Sequence, residues 1–168
     1  MAVLQIVGNT SGAGKTSLAA ALLVTANTTG KKAAYYKPFA DGRTADSDVA
    51  FMSELLLSIG GPAVPAPGNK IDSGDLTSAQ AEVSKLESET GLVVIEGPDG
   101  SEPSALESKV ILVHRYSPGD DNSSIATSIP NLAAIVVNAV PIHRRDEVAR
   151  DLAGQAIPVA VIPESRGM

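Results

Sequence analysis

VGNTSGAGKTSLA, residues 7–19, sets glycines and a Lys-Thr pair between an apolar run and a stretch rich in alanine and leucine. A phosphate cradle needs this kind of tight, Cβ-poor turn between a strand and a helix, where backbone N–H groups and the positive end of the helix meet an anion. The usual spacing is Gly, four residues, then Gly-Lys-Ser/Thr, which would put glycine at position 9. This chain has Asn9, and the glycine, Gly8, comes one residue early. The context still fits, because residues 3–7 read as a strand and Lys15 opens a helical run that continues to Thr28 before Gly30. Gly12, Ala13, Gly14, Lys15, Thr16 and Ser17 are therefore the candidate phosphate-binding residues. Lys15 reaches toward the β- and γ-phosphates, and the Thr16 hydroxyl is a candidate magnesium ligand.

Outward from this loop, strand-length apolar runs alternate with helical patterns. Further strands are expected at 33–37, 92–96, 110–114, 134–138 and 159–162. The runs near 92, 110 and 134 are almost unbroken in Val, Ile and Leu, as in parallel strands covered on both faces. Val49, Met52, Leu55, Leu56 and Ile59 form a second helical stripe before Gly60-Gly61. Thr77 and Gln80 are a candidate capping box for a third helix, with Ala79, Val83 and Leu86 on one face and Gly91 at its end. This predicts an α/β fold, an open, mostly parallel sheet of about six or seven strands with helices on both faces. Residues 61–75 read as a Pro/Gly-rich loop within a single domain spanning 1–168, since the alternation resumes beyond it. The chain stops soon after the last strand with no closing helix, so the expectation is an N-terminal fragment of a longer protein with further C-terminal domains.

Composition excludes several classes of function. Lysine and arginine total 13 against 19 acidic residues, a net charge of −6, which supplies no basic field for nucleic acid or an anionic membrane. With no cysteine there are no disulfides, thiolate metal sites or cysteine nucleophiles, and a reducing, cytoplasmic setting is the simple expectation. No apolar run approaches the ~20 residues of a membrane span.

Charged and polar residues at strand ends supply the other candidates. Glu96 follows four apolar residues and emerges at the C-terminal edge of a central strand beside the loop, where a magnesium ion needs an oxygen ligand. Lys37 is a cation at the end of the second strand, facing the same place. Asp46 and Asp48 open the second helix, where capping is an equally good role. Asn138 ends the fifth strand, with an amide suited either to a turn or to an adenine edge. His114 and His143 are isolated and read as strand-end or surface residues.

GNTSGAGKT, followed by YYKPFADG, resembles dethiobiotin synthetase and its relatives, whose loop has the longer form Gly, five residues, Gly-Lys-Thr and whose second strand ends in Lys-Pro. The resemblance runs in order over most of the chain and accounts for Asn9 as a family variant. It separates the chain from partition and septum-site ATPases, which carry an extra lysine early in the loop where this chain has Asn9, Thr10 and Ser11. It implies a P-loop NTPase fold, ATP and Mg2+ as cofactors, Lys15 and Lys37 acting on the transferred phosphate, and Thr16, Asp48 and Glu96 holding magnesium. It also implies Asn138 and the backbone near Pro163 at the adenine, and a homodimer.

The departures are Gly97-Pro98-Asp99-Gly100 after the glutamate, Asp41 where the synthetases bind the diamine through serine, and an early stop after Ile-Pro. VVNAVP and PVAVIPES are similar to the N-terminal domain of phosphotransacetylase-type multidomain proteins, where the fold has a regulatory or structural part. The reading is thus a Mg-ATP-binding domain with an unknown small-molecule second substrate. The alternatives are a dethiobiotin synthetase or related ATP-dependent ligase, and a non-catalytic interaction module.

Overall fold

A computed structural model describes residues 2–38, 46–66, 73–100, 103–119 and 129–165. Position 41, residues 67–72 of the expected loop and residues 166–168 lie outside the described residues. The elements run β1 (Ala2–Gly8), α1 (Lys15–Thr28), β2 (Ala33–Tyr36), α2 (Ser47–Ser58), α3 (Ser73–Glu89), β3 (Leu92–Asp99), β4 (Lys109–Arg115), β5 (Leu132–Val140), a 3-10 turn (Ile142–Arg144), α4 (Arg145–Asp151) and β6 (Val159–Pro163).

The strands form one six-stranded sheet in the order β2-β3-β1-β4-β5-β6. Every pairing is parallel. Side-chain alternation divides its two faces. Ile6, Tyr35, Val94 and Val113 pack with Ala19 and Leu23 of α1 and Met52 and Leu56 of α2. On the opposite face Val3, Ala34, Tyr36, Val93 and Ile95 meet Ala79, Val83 and Leu86 of α3. Farther along that face Val7, Leu112, Ile135 and Val137 meet Val148 and Leu152 around α4. Both faces are covered, which is why the central strands carry unbroken apolar runs. The chain crosses from β3 to β4 over β1, so the C-terminal ends of these three strands border the crevice where such sheets take ligands.

The expected strands are all present, with differences at their ends. β2 ends at Tyr36, leaving Lys37 just beyond it. β3 does not stop at Glu96 but continues to Asp99, where Gly8 pairs with Asp99 after a register shift and bridges Gly100. Gly97 permits this, since a Cβ there would lie 3.1 Å from the Ile6 carbonyl oxygen. The missing N–H of Pro98 falls in the irregular part of the ladder, where it breaks no regular pairing. The expected start of the third helix is corrected: α3 begins at Ser73, so Thr77 lies a turn inside it. Leu76 packs against the core beside Ala79, Val83 and Leu86, and that extra step of the stripe draws the helix N-terminally.

α4, which was not anticipated, is a seven-residue helix whose apolar signal consists of Val148, with Leu152 at its C-cap. It covers one face of β6 through Val159 and Val161, while Ala160 and Ile162 on the other face are exposed. No helix among the described residues is long and apolar enough to cross a membrane.

Candidate functional site

At the end of β1 the chain turns through residues 9–14 into α1. Gly12 and Gly14 adopt φ of 69° and 105°, left-handed values that favour glycine. The early glycine has a steric reason. A Cβ on Gly8 would lie 3.1 Å from the Ala13 Cβ and 3.2 Å from the Lys15 Cγ, so the lysine stem folds back over this bare position. Lys15 is 7% exposed, its stem buried at the first turn of α1.

Asn9, where the usual spacing has glycine, ties the loop to the end of β4. Its Oδ1 accepts from the Arg115 N–H at 2.8 Å and its Nδ2 donates to the Arg115 carbonyl at 3.3 Å. The Asn9 N–H donates to the Val113 carbonyl. From the same strand end, Arg115 Nη1 donates to the Gly12 carbonyl at 2.9 Å. Asn138, expected to end its strand but followed by two more residues of β5, donates from Nδ2 to the Ala13 carbonyl at 2.9 Å and accepts from the Ala139 N–H at 2.8 Å. A Cβ on Gly14 would collide with that amide. In a trans peptide the next N–H points away from the carbonyl, so the Asn138 brace turns the Gly14 N–H to the opposite side. α1 starts with no side-chain cap and no acid in its first turn. Its positive end is left for an anion.

The second half of the site is a charged network. Glu96 is 2% exposed. Thr16 Oγ1 donates to its Oε1 at 3.1 Å, Tyr35 Oη donates to its Oε2 at 2.8 Å, and Lys37 Nζ stands 3.8 Å from Oε1. Lys37 also pairs with Asp46 at 2.9 Å and Asp48 at 2.6 Å. Asp46 caps α2, accepting from the Asp48 and Val49 N–H groups. The capping role thus falls to Asp46, and Asp48 holds Lys37.

Burial pushes Glu96 above the usual carboxylate range, an effect that the Tyr35 hydrogen bond and the Lys37 charge offset in part. Burial also pushes the Tyr35 phenol far up, with the Glu96 charge adding to it. For Lys37, burial opposes the charge, but hydrogen bonds to Asp48 and Asp46 outweigh it and the ammonium holds its proton more firmly than an ordinary lysine. For Asp46, burial is likewise outweighed, here by Lys37 and the two N–H groups it caps, and its pKa falls.

Thr16 and Glu96 fit magnesium. They are hard oxygen donors already in contact, beside the helix end that would hold the phosphates. Among the described residues no three or more acidic or histidine side chains form a metal cluster. The structure therefore brings Thr16 and Glu96 of the expected ligand set together, while Asp48 is paired with Lys37 at 2.6 Å. Ser17 is exposed on the first turn of α1. Pro163 pairs with Val140 at the end of β6, on the sheet edge that also carries Asn138.

Arg115 and Tyr35 were not anticipated. Arg115 ends its strand in a charge much as the 33–37 run ends in Lys37, and that signal would have found it. Tyr35 sits in a fully buried strand as one more large apolar residue, and nothing local marks its hydroxyl.

A family model described as an AAA domain matches residues 2–112, a span that includes Lys15, Thr16, Lys37, Asp48 and Glu96 and ends before Arg115, Asn138 and Pro163. Among solved structures, the signal recognition particle receptor FtsY from Elizabethkingia anophelis is similar with a TM-score of 0.69 at 19% identity, covering 99% of this chain and 59% of that one. FlhF complexed with GMPPNP and Mg2+ is similar with a TM-score of 0.61 at 17% identity, over 99% of this chain and 67% of that one. The septum site-determining protein MinD from Pyrococcus horikoshii OT3, complexed with Mg-ADP, gives 0.55 at 16% identity, over 98% of this chain and 82% of that one. At these identities the likeness shows the fold, that of the P-loop NTPases. No curated protein matches the sequence.

Proposed function

The chain belongs to the AAA domain family, and from that premise we propose that it binds Mg-ATP at the loop of residues 8–17 as a P-loop domain resembling dethiobiotin synthetase, with a small-molecule second substrate. The observation that carries this reading is the contact between Thr16 and the buried Glu96 at the uncapped start of α1. A carboxylate kept inside the protein at the cost of its hydration, with the Lys37 ammonium 3.8 Å away, favours a closer cation, and the helix end beside it favours an anion. A magnesium nucleotide supplies both. Lys15 binds phosphate oxygens, Thr16 and Glu96 hold the metal, and Arg115 and Asn138 keep the loop in its receiving shape. When bound, magnesium neutralises charge on the phosphate oxygens.

One observation favours the ligase reading as a second possibility. Lys37 is held 3.8 Å from Glu96, inside the network, where an ammonium could meet a transferred phosphoryl group. Against it, residues 97–100 are engaged with β1 and Gly8 where the synthetases have a run of small residues. A homodimer and the regulatory role of phosphotransacetylase-type domains rest on the resemblance.

The test is calorimetric titration of ATP and GTP with Mg2+ and with EDTA, alongside phosphate release with and without 7,8-diaminopelargonic acid plus bicarbonate. Mg-ATP should bind in preference to GTP, and Lys15→Ala should weaken it at least tenfold, about 1.4 kcal/mol. Equal binding by Lys15→Ala would overturn the site. Release that requires the diamine would select the ligase.

A further inference from the structure

Tyr35 is fully buried in β2, among the side chains that pack beneath α1 and α2. Its hydroxyl nevertheless reaches a charged group, donating to Glu96 Oε2 at 2.8 Å. The other carboxylate oxygen, Oε1, is the one that Thr16 contacts and that faces Lys37. The two oxygens of Glu96 therefore have separate duties. A glutamate carboxylate turns easily about its last torsion, whose wells are broad and nearly two-fold. A donor fixed on one oxygen stops that rotation and aims the other.

We propose that Tyr35 is a positioning residue for the metal site, holding Glu96 by Oε2 so that Oε1 is presented beside Thr16 to the magnesium of a bound nucleotide. The inference rests on the Mg-nucleotide reading given above. β2 and β3 pair in register, with Tyr35 opposite Val94 and Tyr36 opposite Ile95, which sets the ring next to the strand that carries Glu96. Tyr36 cannot take the part, because it faces the other side of the sheet, toward α3. Groups that orient a metal ligand from behind raise its affinity without touching the ion.

The experiment compares wild type with Tyr35→Phe, which removes the hydroxyl and keeps the ring. Nucleotide affinity is measured in EDTA and across a Mg2+ or Mn2+ titration. In EDTA the two proteins should bind equally, while the metal midpoint of the variant should rise by about tenfold, in line with the loss of other such supporting groups. A general packing defect would weaken both arms together. An unchanged metal midpoint overturns the proposal. If wild type itself shows no metal effect, the Mg-nucleotide reading fails first and the proposal falls with it. Should Tyr35→Phe fail to fold, wild-type protein labelled with 13Cζ-tyrosine decides. Mg2+ added to the nucleotide complex should shift the Tyr35 resonance as the carboxylate gives up charge, with Tyr36 as the internal control, and a Tyr35 signal that does not move overturns the proposal.

Discussion

Glu96 carries a conflict between folding and binding. Its carboxylate is nearly inaccessible, and burial raises its pKa above the usual range. The folded chain therefore takes up a proton more readily than the unfolded one. The penalty from this residue is complete when both states are ionised, shrinks as pH falls through the raised folded value, and is gone below the ordinary carboxylate pKa. Glu96→Gln should accordingly raise the melting temperature of the ligand-free protein near neutral pH, by roughly 2–4 °C for each kcal/mol of penalty removed. It should also abolish the effect of Mg2+ on nucleotide binding. Thermal unfolding with and without Mg-nucleotide checks both parts, and a destabilised apo variant would mean that Lys37 and Tyr35 already compensate the charge in full. Lys15, Thr16 and Glu96 could be found in the sequence because each interrupts an apolar or small-residue run, Glu96 inside a strand that continues to Asp99 and the other two where a helix begins. Arg115 carries a strand-end charge of the same kind, but its pairing with Asn9 was not readable, since the two lie 106 residues apart and meet through the Arg115 backbone.

At the level of elements, the phosphate loop takes its shape from the ends of β4 and β5. Three side-chain bonds tie the loop to the end of β4, two between the Asn9 amide and the Arg115 backbone and one from the Arg115 guanidinium to the Gly12 carbonyl. Each net bond is worth about 0.5–1.5 kcal/mol. Asn9→Ala and Arg115→Ala should each raise the nucleotide Kd by about three- to tenfold, with little change in melting temperature because both residues are exposed. Since both act on one loop, the double variant should lose less than the sum of the two. Titration of the four proteins measures the coupling, and strict additivity would mean that the braces work independently. α1 followed from its alanine- and leucine-rich composition before Gly30, and the central strands from their unbroken apolar runs. The start of α3, the continuation of β3 past Glu96 and the whole of α4 did not. In each case a tertiary contact decided: Leu76 on the core, Gly97 against β1, and Val148 with Leu152 against the sheet.

For the whole molecule, alternating apolar runs announced a parallel α/β sheet but carried no information on strand order, which depends on crossovers that no local pattern encodes. The order matters because it gathers Lys37, Glu96, Arg115, Asn138 and Pro163, each at or near a strand's C-terminal end, along one edge of the sheet. A ligand bound there adds to the packing and ladder contacts that already hold α1 against the sheet, at the C-terminal ends of β3, β4 and β5. At a hundred times its Kd, such a ligand adds about 2.7 kcal/mol of stability. For a chain of this length that corresponds to a rise of roughly 5–10 °C in melting temperature. The gain should not be spread evenly. Amide hydrogen exchange should slow most at residues 9–18 and at the ends of β3 and β4. It should change little in α3, which packs on the face away from α1, and in β6, whose Ala160 and Ile162 face remains open. Uniform protection would mean instead that the sheet unfolds as one cooperative unit, with the bound site stabilising every strand equally.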